Sequence, residues 1–418
     1  MSNPRAEPLP PTPIAPLPGL VINGKFLQAS TSRSGVYRVA RELLVALDRL
    51  LAENDALAAA LRCRVLVPGD PDAGLRLSRI RVERDPVRPG RSPALRRLGG
   101  VLWEQTALPR HARGETLVSL CNIGPVLHRD AFTMVHDAQV YTSPQSYARA
   151  FRAWYRVALP LLGHRNRALL TVSRHSRDQL DRFGVAPADR IHVIPNGCDH
   201  VLRLVPDDTV VAAAGLAATP YVVALANRQR HKNIPVLLEA FHAPALRHVT
   251  LALFGPARRE DFERRGVRVP PNARFLGFVG DEQLAGLLRH ALALAFPSTT
   301  EGFGLPPLEA MALGCPTIVA PCGALPEVCG DAALWADPHA PDQWIDRIVR
   351  LRDDPGLRAD LRRRGLAQAA RFTWREAACG LLEAVLGRSR AELGLSPRGD
   401  APHRLPSSPS AARPIAFP

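Results

Sequence analysis

Residues 298–317 read STTEGFGLPPLEAMALGCPT, and this stretch decides the fold of the second half of the chain. It follows an apolar run at 292–296 that predicts a buried strand. Pro306 or Pro307 can begin a helix, because a proline in the first turn forfeits no helical hydrogen bond. Gly314 is placed to end that helix. The stretch therefore predicts a strand, a glycine-containing turn and a short helix.

The turn carries residues suited to an anionic ligand that also has hydroxyl groups. Gly302 and Gly304 let the backbone approach a ligand closely, and the start of the helix adds a partial positive charge that favours a diphosphate. Glu301 and Glu309 flank the turn, and carboxylates accept hydrogen bonds from hydroxyl groups. A nucleoside diphosphate linked to a sugar offers both partners. The alternative is an ordinary strand–turn–helix with glutamates on its surface.

Short apolar runs alternate with helical stretches on both sides of this motif, which is typical of parallel βαβ units. We predict an α/β fold with Rossmann-like domains at 20–205 and 206–388, with the last helix able to pack back on the N-terminal domain. Proline-rich stretches predict a disordered arm at 1–19 and a disordered tail at 389–418. The predicted strands lie at 20–22, 64–67, 116–119, 132–136, 169–172, 191–194, 221–226, 250–254, 292–296 and 317–320.

Composition narrows the classes of protein to consider. The 418 residues are 46% hydrophobic and 22% charged, as expected of a chain that buries a core. No run approaches the roughly 20 apolar residues of a membrane span, and the first residues lack the pattern of a signal peptide. The seven scattered cysteines suit neither a zinc site nor a disulfide framework. We therefore expect a cytoplasmic protein.

Basic residues are unevenly distributed. Lys and Arg number 54 against 39 Asp and Glu, a net charge of +15, and Lys25 and Lys232 are the only lysines. Residues 1–205 contain 29 basic and 17 acidic residues, a net charge of +12, so we expect the N-terminal domain to face an anionic partner. A nucleic-acid binder would also be basic, but no DNA or RNA motif accompanies the charge, and we expect no nucleic-acid partner.

These motifs resemble glycosyltransferase family 4, which contains retaining nucleotide-sugar enzymes with the GT-B fold. The central match is EGFGLPPLEAMALG at 301–314, and the resemblance extends over about residues 20–385. Within the family, the chain looks like bacterial polysaccharide and O-antigen transferases, which are often mannosyltransferases. Further matches follow in the family's order: Asn23-Gly-Lys-Phe, Ser34-Gly35-Val-Tyr-Arg38, Val135-His136-Asp137, Thr171-Val-Ser173-x2-Ser176, Val193-Ile-Pro-Asn196-Gly197-Cys-Asp199, His231-Lys232-Asn233 and Leu325-Pro-Glu-Val-x-Gly-Asp331.

The resemblance implies two Rossmann-like domains whose parallel sheets face each other across a cleft that holds the donor. Glu309 would bind the ribose hydroxyls, and Glu301 would bind hydroxyls of the transferred sugar. Lys232 would neutralise the diphosphate leaving group. The residues whose backbone would contact the sugar and the distal phosphate are Gly302, Phe303, Gly304 and Leu305.

Further implied roles rest on single residues. His136 would contact the sugar near its reacting carbon, and Gly35 would let its loop approach the donor phosphates. The family often has an arginine five residues before the lysine, where this chain has Asn227, so Arg228 is our candidate for the second phosphate-binding cation.

The resemblance also implies how the reaction proceeds. No side chain qualifies as a nucleophile, so the family's front-face attack, with retention of configuration, is expected. No Asp-x-Asp motif lies in a suitable place, so we expect no metal or other cofactor.

GDP-mannose is the first donor to test, followed by UDP-sugars. Phe278 and Val279 would line the pocket for the base, with core packing as an equal alternative.

A basic segment with aromatic neighbours predicts the side that faces the acceptor. Such a helix can lie against anionic lipid, which fits a glycan or polyprenyl-diphosphate-linked acceptor at the inner face of the cell membrane. A solvated arginine-rich face is an equally open interpretation. As a function of another class, we keep a GT-B sugar-nucleotide epimerase or a non-catalytic relative as the alternative. The basic residues share one helical face and are Arg149, Arg152 and Arg156, beside Phe151, Trp154 and Tyr155.

Overall fold

The computed structural model describes residues 14–28, 35–71, 74–85 and 93–395, without the side chains of 93–98. Two parallel sheets with helices around them confirm the predicted α/β class with two Rossmann-like sheets. The helices are α1 (Gly35–Glu53), α2 (Asp55–Ala60), α3 (Pro93–His111), α4 (Gln139–Thr142), α5 (Arg149–Arg165), α6 (Arg174–Arg182), α7 (Thr209–Ala213), α8 (Ile234–Ala240), α9 (Arg259–Glu263), α10 (Asp281–His290), α11 (Leu305–Ala312), α12 (Leu325–Cys329), α13 (Pro341–Asp353), α14 (Pro355–Ala369) and α15 (Trp374–Leu386).

The N-terminal sheet has seven strands, and all of its pairings are parallel. They are β1 (Leu20–Asn23), β2 (Cys63–Pro68), β3 (Arg81–Asp85), β4 (Thr116–Ser119), β5 (Ala131–Met134), β6 (Ala168–Thr171) and β7 (Ile191–Val193). Their order is β3-β2-β1-β4-β5-β6-β7. The chain reverses its direction across the sheet between β1 and β4, and ligands of such sheets bind outside the carboxyl ends of the strands at this switch point.

The C-terminal sheet repeats this arrangement with six strands. They are β8 (Tyr221–Leu225), β9 (Thr250–Phe254), β10 (Ala273–Gly277), β11 (Ala293–Phe296), β12 (Thr317–Val319) and β13 (Leu334–Trp335). The order is β10-β9-β8-β11-β12-β13, so the switch point lies between β8 and β11. The turn that follows β11 is the one quoted at the start of the sequence analysis.

Three strands of the structure were absent from the sequence prediction, namely β3, β10 and β13. Each lies at the edge of its sheet. Edge strands have one neighbour and need less apolar surface, so their sequences lack the continuous apolar run that marks a buried strand. β3 illustrates this, because its sequence is RVERD and most of its side chains are exposed or half-buried.

Helix α1 packs against α15, the last long helix of the chain. Its apolar positions recur at helical spacing, and Leu43 and Leu47 are buried. They belong to the same hydrophobic cluster as Leu381 and Leu382 of α15. Helix α15, which follows the C-terminal sheet in sequence, therefore belongs to the core around the N-terminal sheet.

The arm and the tail differ from the predicted disorder at their inner ends. Leu17 is buried, and its backbone N–H donates to the carbonyl of Ala60 at 3.2 Å. Leu393 and Leu395 are also buried, because the apolar side chains of these short segments join the cluster around α1 and α15. The rest of the predicted arm, 1–13, and of the tail, 396–418, lies outside the described residues.

Candidate active site

The turn between β11 and α11 has a backbone that only glycine adopts easily. Gly304 has φ = +109° immediately before the helix, a region that L side chains rarely occupy. A Cβ built on it would lie 2.6 Å from the Cδ2 atom of Leu325. Pro306 and Pro307 then occupy the first turn of α11, as the sequence predicts. The turn is thus set by residues that the motif itself contains.

Lys232 and Glu301 lie side by side at the C-terminal switch point. Lys232 follows β8, Glu301 follows β11, and the Lys232 Nζ atom donates to the Glu301 Oε1 atom at 2.6 Å. The ammonium also lies 5.4 Å from the centre of the Phe296 ring. The structure therefore brings together the lysine and the first glutamate that the sequence selected as donor-binding groups.

Glu309 is a buried carboxylate with two partners that the sequence did not predict. Its Oε1 atom lies 3.3 Å from Arg38 Nη1 and 3.1 Å from His200 Nε2. The Trp374 indole N–H donates to His200 Nδ1 at 3.1 Å, which orients the ring with its Nε2 atom on the side of Glu309. Burial alone would raise the pKa of Glu309, but His200 and Arg38 hold it below its ordinary value. Glu309 is therefore ionised at neutral pH and can accept hydrogen bonds.

Arg38 connects the two halves of the chain at this point. It lies in the first turn of α1, and its Nη2 atom donates to Asp281 Oδ1 of α10 at 2.5 Å, in addition to the Glu309 contact. Arginine suits this position because its planar guanidinium can bind two carboxylates at once. Gly35, the predicted phosphate-loop residue, begins the same helix, so it lies one turn from a group that reaches Glu309.

The backbone of Gly302 is held by hydroxyl groups from the N-terminal half. Ser173 and Ser176 donate to its carbonyl oxygen at 2.6 and 3.0 Å. The Gln139 side chain donates to the carbonyl of Thr300 at 3.2 Å. The serine motif at 171–176 therefore holds the predicted donor turn (residues 298–304) against α6. The sequence did not reveal this role.

Asp137 adds a third carboxyl group to this region. It is half-buried, and this burial together with the charge of Glu301 raises its pKa to about 6, although a bond from the Gln139 N–H and the charge of Lys232 oppose the shift. Its protonation therefore changes near neutral pH. The sequence analysis quoted Asp137 in a motif but gave it no role.

His136 contributes through its backbone as well as its ring. The ring Nε2 atom lies 2.8 Å from the carbonyl of Leu120, and burial lowers the pKa of His136 to about 4, so the ring is neutral. Its own carbonyl oxygen accepts the Ser176 hydroxyl at 3.1 Å. Its predicted contact with the sugar remains a prediction.

Three other predicted donor residues differ in their exposure to solvent. Arg228 is exposed. It lies near Asp261, whose pKa is lowered mainly by a hydrogen bond from the Arg258 N–H and to a smaller extent by the charge of Arg228. The side chain of Phe303 is buried in the core, so only its backbone can serve a ligand. Leu305 begins α11 and is half-buried.

The predicted base-pocket residues lie at the end of β10. Phe278 is 83% exposed, and Val279 is half-buried. Beside them is a cavity of about 500 Å³. Its lining residues are Ala257, Arg258, Arg259, Glu260, Ala273, Phe275, Leu276 and Gly277. The exposure of Phe278 argues against the alternative that it packs in the core.

Helix α5 carries the predicted acceptor-side residues. Arg149 and Arg156 are exposed, and Arg152 is half-buried. The Arg156 guanidinium lies 5.8 Å from the centre of the Tyr141 ring. Across the described ranges, no helix combines the length and apolarity needed to cross a bilayer.

The cysteines are thiols rather than disulfides in the structure. All seven are free, and burial raises the pKa of Cys121 and of Cys315 to about 12. Within the part of the chain that the structure describes, no group of three or more His, Cys, Asp or Glu side chains is arranged to hold a metal ion.

Two family models match the chain: Glycosyltransferase Family 4 over residues 34–202 and Glycosyl transferases group 1 over residues 219–354. The O-antigen chain mannosyltransferase B of Escherichia coli is 34% identical over 255 residues, which are 58% of this chain and 67% of that protein. A D-inositol 3-phosphate glycosyltransferase of Saccharomonospora viridis is 33% identical over 225 residues, 49% of this chain and 52% of that protein. The chain thus spans about half the length of this second relative.

Solved structures share the architecture. Sucrose-phosphate synthase from Thermosynechococcus elongatus aligns with a TM-score of 0.66 at 20% identity, over 87% of this chain and 97% of that one. HepE from Anabaena in complex with UDP-glucose aligns with a TM-score of 0.62 at 18% identity, over 89% of this chain and 100% of that one. The paired parallel sheets and the matches along the chain define a glycosyltransferase with the GT-B fold. The chain belongs to glycosyltransferase family 4, and its reaction is transfer from a nucleotide-sugar.

The fit of Gly302 leads to the first testable prediction. A Cβ at this position would lie 2.4 Å from the His136 carbonyl oxygen and 2.7 Å from Asp137 Cβ, so Gly302→Ala must displace the donor turn. Because a 1 Å displacement of a positioning group can lower the rate about a hundredfold, we expect kcat/KM for the donor to fall on that scale. Steady-state kinetics measures this.

Gly280→Ala is the matched control for Gly302→Ala. Gly280 has φ = −69°, and the nearest atom to an added Cβ is Gln283 Oε1 at 3.7 Å, so this variant should keep its activity. Equal kcat/KM values for Gly302→Ala and the wild type would show that the turn does not depend on this close contact.

Proposed function

We propose that this glycosyltransferase transfers a hexose, with mannose favoured, from a nucleoside-diphosphate sugar to a growing glycan or lipid-linked acceptor in cell-surface polysaccharide synthesis. The observation that carries the proposal is the 2.6 Å pair of Lys232 and Glu301 beside the turn that leads to Glu309. The similarity to an O-antigen chain mannosyltransferase supports mannose and a polysaccharide acceptor.

In the proposed reaction, an acceptor hydroxyl attacks the anomeric carbon on the face from which the diphosphate leaves, so the configuration is retained. The bond from carbon to the diphosphate oxygen breaks, and the hydroxyl proton passes to the departing diphosphate. Lys232 neutralises the negative charge that develops on the leaving group, and Glu301 accepts hydrogen bonds from the sugar. Because Lys232 supplies a cation at this point, the proposed transfer requires no divalent ion.

A thermal-shift panel tests the proposed donor. We expect GDP-mannose or a UDP-sugar to raise the melting temperature, because a ligand that binds only the folded state stabilises it. Mannose 1-phosphate lacks the ribose and should give a smaller shift. A panel without any shift by a nucleotide-sugar, together with no release of nucleotide in an activity assay, would contradict the proposed function.

The proposed acceptor lies at a membrane surface, and α5 supports this part of the proposal. Trp154, Val157 and Leu161 have i, i+3 and i+7 spacing, so they share one face of the helix. Exposed arginines near this face would attract anionic lipid headgroups, at about 1 kcal/mol per residue. Four large apolar side chains of α5 have exposed fractions of 40–58%: Phe151, Trp154, Val157 and Leu161.

Replacing residues of the exposed apolar face of α5, formed by Trp154, Val157 and Leu161, provides a second prediction for a variant protein. In Trp154→Ser/Leu161→Ser we expect co-sedimentation with vesicles of phosphatidylglycerol and phosphatidylcholine to fall at least fivefold, because exposed apolar area drives insertion into the interface. The control is Val205→Ser, since Val205 is 79% exposed but lies outside α5. Binding that is equal in all three proteins, or that has no preference for anionic lipid, would remove the membrane from the proposal.

A further inference from the structure

Asp137 is a carboxyl group beside the predicted donor turn that the proposed reaction does not use. It lies three residues after the end of β5, at the carboxyl edge of the N-terminal sheet. A Cβ built on Gly302 would lie 2.7 Å from Asp137 Cβ, so the aspartate packs directly on the turn. The charges of Glu301 and Lys232 both act on its carboxyl group. Asp137 is therefore a neighbour of the two side chains that the proposed reaction assigns to the sugar and the diphosphate.

The fold uses one oxygen of this carboxyl group and leaves the other open. Oδ1 accepts the backbone N–H of Gln139 at 2.9 Å. Among the described residues Oδ2 has no hydrogen-bond partner, and it is not sealed in the interior. Gln139 is itself held on both sides, because its Nε2 atom donates to the carbonyl of Thr300 at 3.2 Å and its Oε1 atom accepts the Tyr147 hydroxyl at 2.8 Å. The carboxyl group is thus fixed through Oδ1, while Oδ2 can bind a ligand.

The bond to Gln139 does not require a carboxylate. The oxygen of an asparagine side chain accepts a backbone N–H two residues further along the chain equally well. An aspartate that is partly removed from water next to Glu301 is less favourable than a neutral side chain of the same size, because burial and the like charge both oppose its ionisation. Stability alone therefore does not explain why an aspartate occupies this position.

A small cavity adjoins Asp137. Its volume is about 10 Å³, and it lies where Asp137, Glu301 and Gly302 meet α6. The lining on the side of α6 includes the polar side chains of His175 and Gln179. This is about the space that one water molecule needs, so the cavity admits a single hydroxyl group of a ligand beside the aspartate.

The charge of Asp137 depends on the groups that surround it. Lys232 favours the ionised carboxylate, whereas burial and Glu301 oppose it, and the pKa of Asp137 is about 6. Oδ2 is therefore a carboxylate oxygen above about pH 6 and belongs to a protonated carboxyl group below it. Burial shifts the pKa of four further neighbours, so that each is uncharged at neutral pH: Tyr147, Tyr155, His136 and His175.

The groups of the donor already have proposed partners, so Oδ2 is left for the acceptor. Lys232, Glu301 and Glu309 are assigned to the diphosphate, the sugar and the ribose. A second carboxylate next to Glu301 would repel the diphosphate. In the proposed reaction the single proton of the attacking hydroxyl passes to the departing diphosphate, so that hydroxyl does not donate to Asp137. A neighbouring hydroxyl of the acceptor remains.

We propose that Asp137 binds, through Oδ2, a hydroxyl group of the acceptor sugar that neighbours the attacking one. Sugars carry hydroxyl groups on adjacent carbons, so a hydrogen bond to one of them fixes the direction of the other. Such orientation lowers the barrier without any chemical step by the aspartate. The assignment rests on the proposed transfer function, and it identifies the acceptor group that this edge recognises as a neutral sugar.

Saturation-transfer NMR with methyl α-D-mannopyranoside as probe tests this assignment. The slowly reacting 2-deoxy-2-fluoro analogues of GDP-mannose and, separately, of UDP-glucose fill the donor site during the measurement, so that the probe reports on the acceptor side. The wild type should saturate the glycoside at about pH 7.5 and at least fivefold less at about pH 5, because a protonated carboxyl group accepts hydrogen bonds less well than a carboxylate. Asp137→Asn should be at least fivefold weaker than the wild type at about pH 7.5 and should show no further loss at about pH 5.

Asp181→Asn is the matched control, because Asp181 is an exposed aspartate on α6 of the same domain. It should match the wild type at both pH values. Asp137→Asn can still accept the Gln139 N–H, and a thermal shift by the donor analogue equal to that of the wild type would show that its donor turn is intact. A merely structural role of Asp137 would lower the saturation at both pH values but leave its pH dependence.

Three results would overturn the assignment. They are no saturation of the glycoside by the wild type, which would leave the cavity to a water molecule, equal saturation by the wild type and Asp137→Asn, and the same acid loss in both proteins. None of them bears on whether a nucleotide-sugar binds at Glu301 and Glu309. Conversely, donor analogues that fail to shift the melting temperature of the wild type would contradict the proposed function, and the glycoside experiment would still decide whether Asp137 binds a sugar hydroxyl.

Discussion

Replacing Glu309 by alanine is expected to weaken donor binding by about 1.5–3 kcal/mol, the scale of hydrogen bonds to a charged group. This corresponds to about 10- to 150-fold in the dissociation constant. The side chain is buried, and His200 and Arg38 hold its pKa below the ordinary value. The carboxylate is therefore ionised and can accept hydrogen bonds from the ribose hydroxyls of the proposed donor. Its removal also leaves the Arg38 guanidinium without one of its two carboxylates. Isothermal titration of the nucleotide-sugar measures the loss.

Glu239→Ala is the control for this variant, because Glu239 is an exposed glutamate on α8 of the same domain. It should bind the donor as the wild type does. Glu309→Gln keeps the size of the side chain and should show an intermediate loss, since an amide oxygen accepts weaker hydrogen bonds than a carboxylate. A Glu309→Ala protein that is folded and binds the donor with unchanged affinity would refute the assignment of Glu309 to the ribose.

Replacing Lys232 by alanine is expected to lower kcat by about 10²–10³, the usual effect of removing one group that stabilises transition-state charge. The diphosphate gains negative charge as the sugar bond breaks, so the ammonium acts more strongly on the transition state than on the bound donor. KM for the donor should therefore rise by less than kcat falls. Steady-state kinetics with the donor identified in the thermal-shift panel separates the two parameters.

The neighbouring Arg230 provides the control for Lys232. It is exposed and belongs to the same short turn, so Arg230→Ala removes a positive charge nearby without removing the contact to Glu301. We expect Arg230→Ala to keep kcat within about threefold of the wild type, as is usual for a surface charge screened by salt. If Arg230→Ala and Lys232→Ala were equally slow, general electrostatics rather than the position of the ammonium would explain the rate.

Sequence reasoning predicted the strand, turn and helix around residues 301–309 because the motif is local. Gly304, the two prolines and both glutamates occur within nine residues, and their conformational and charge preferences agree. The interior strands were also predicted, since they are continuous apolar runs. The edge strands β3, β10 and β13 were not, because an edge strand needs little apolar surface and its identity is decided by the neighbour with which it pairs.

The partners of the selected residues could not be predicted in the same way. Arg38 reaches Glu309 across 271 positions of sequence, and no spacing rule relates residues so far apart. The burial of leucines near both ends of the chain was missed because the prediction there relied on average composition. Leu17 and Leu393 lie in proline- or polar-rich stretches whose average composition predicts disorder, yet a few apolar side chains suffice to join an existing cluster.

A crystal structure with a bound nucleotide-sugar tests the central claim most directly. With GDP-mannose or a UDP-sugar analogue, we expect the ribose hydroxyls within hydrogen-bonding distance of the Glu309 carboxylate, a sugar hydroxyl on Glu301, and a diphosphate oxygen on Lys232. A well-occupied donor that lies elsewhere, with none of these three side chains in contact with it, would contradict the account.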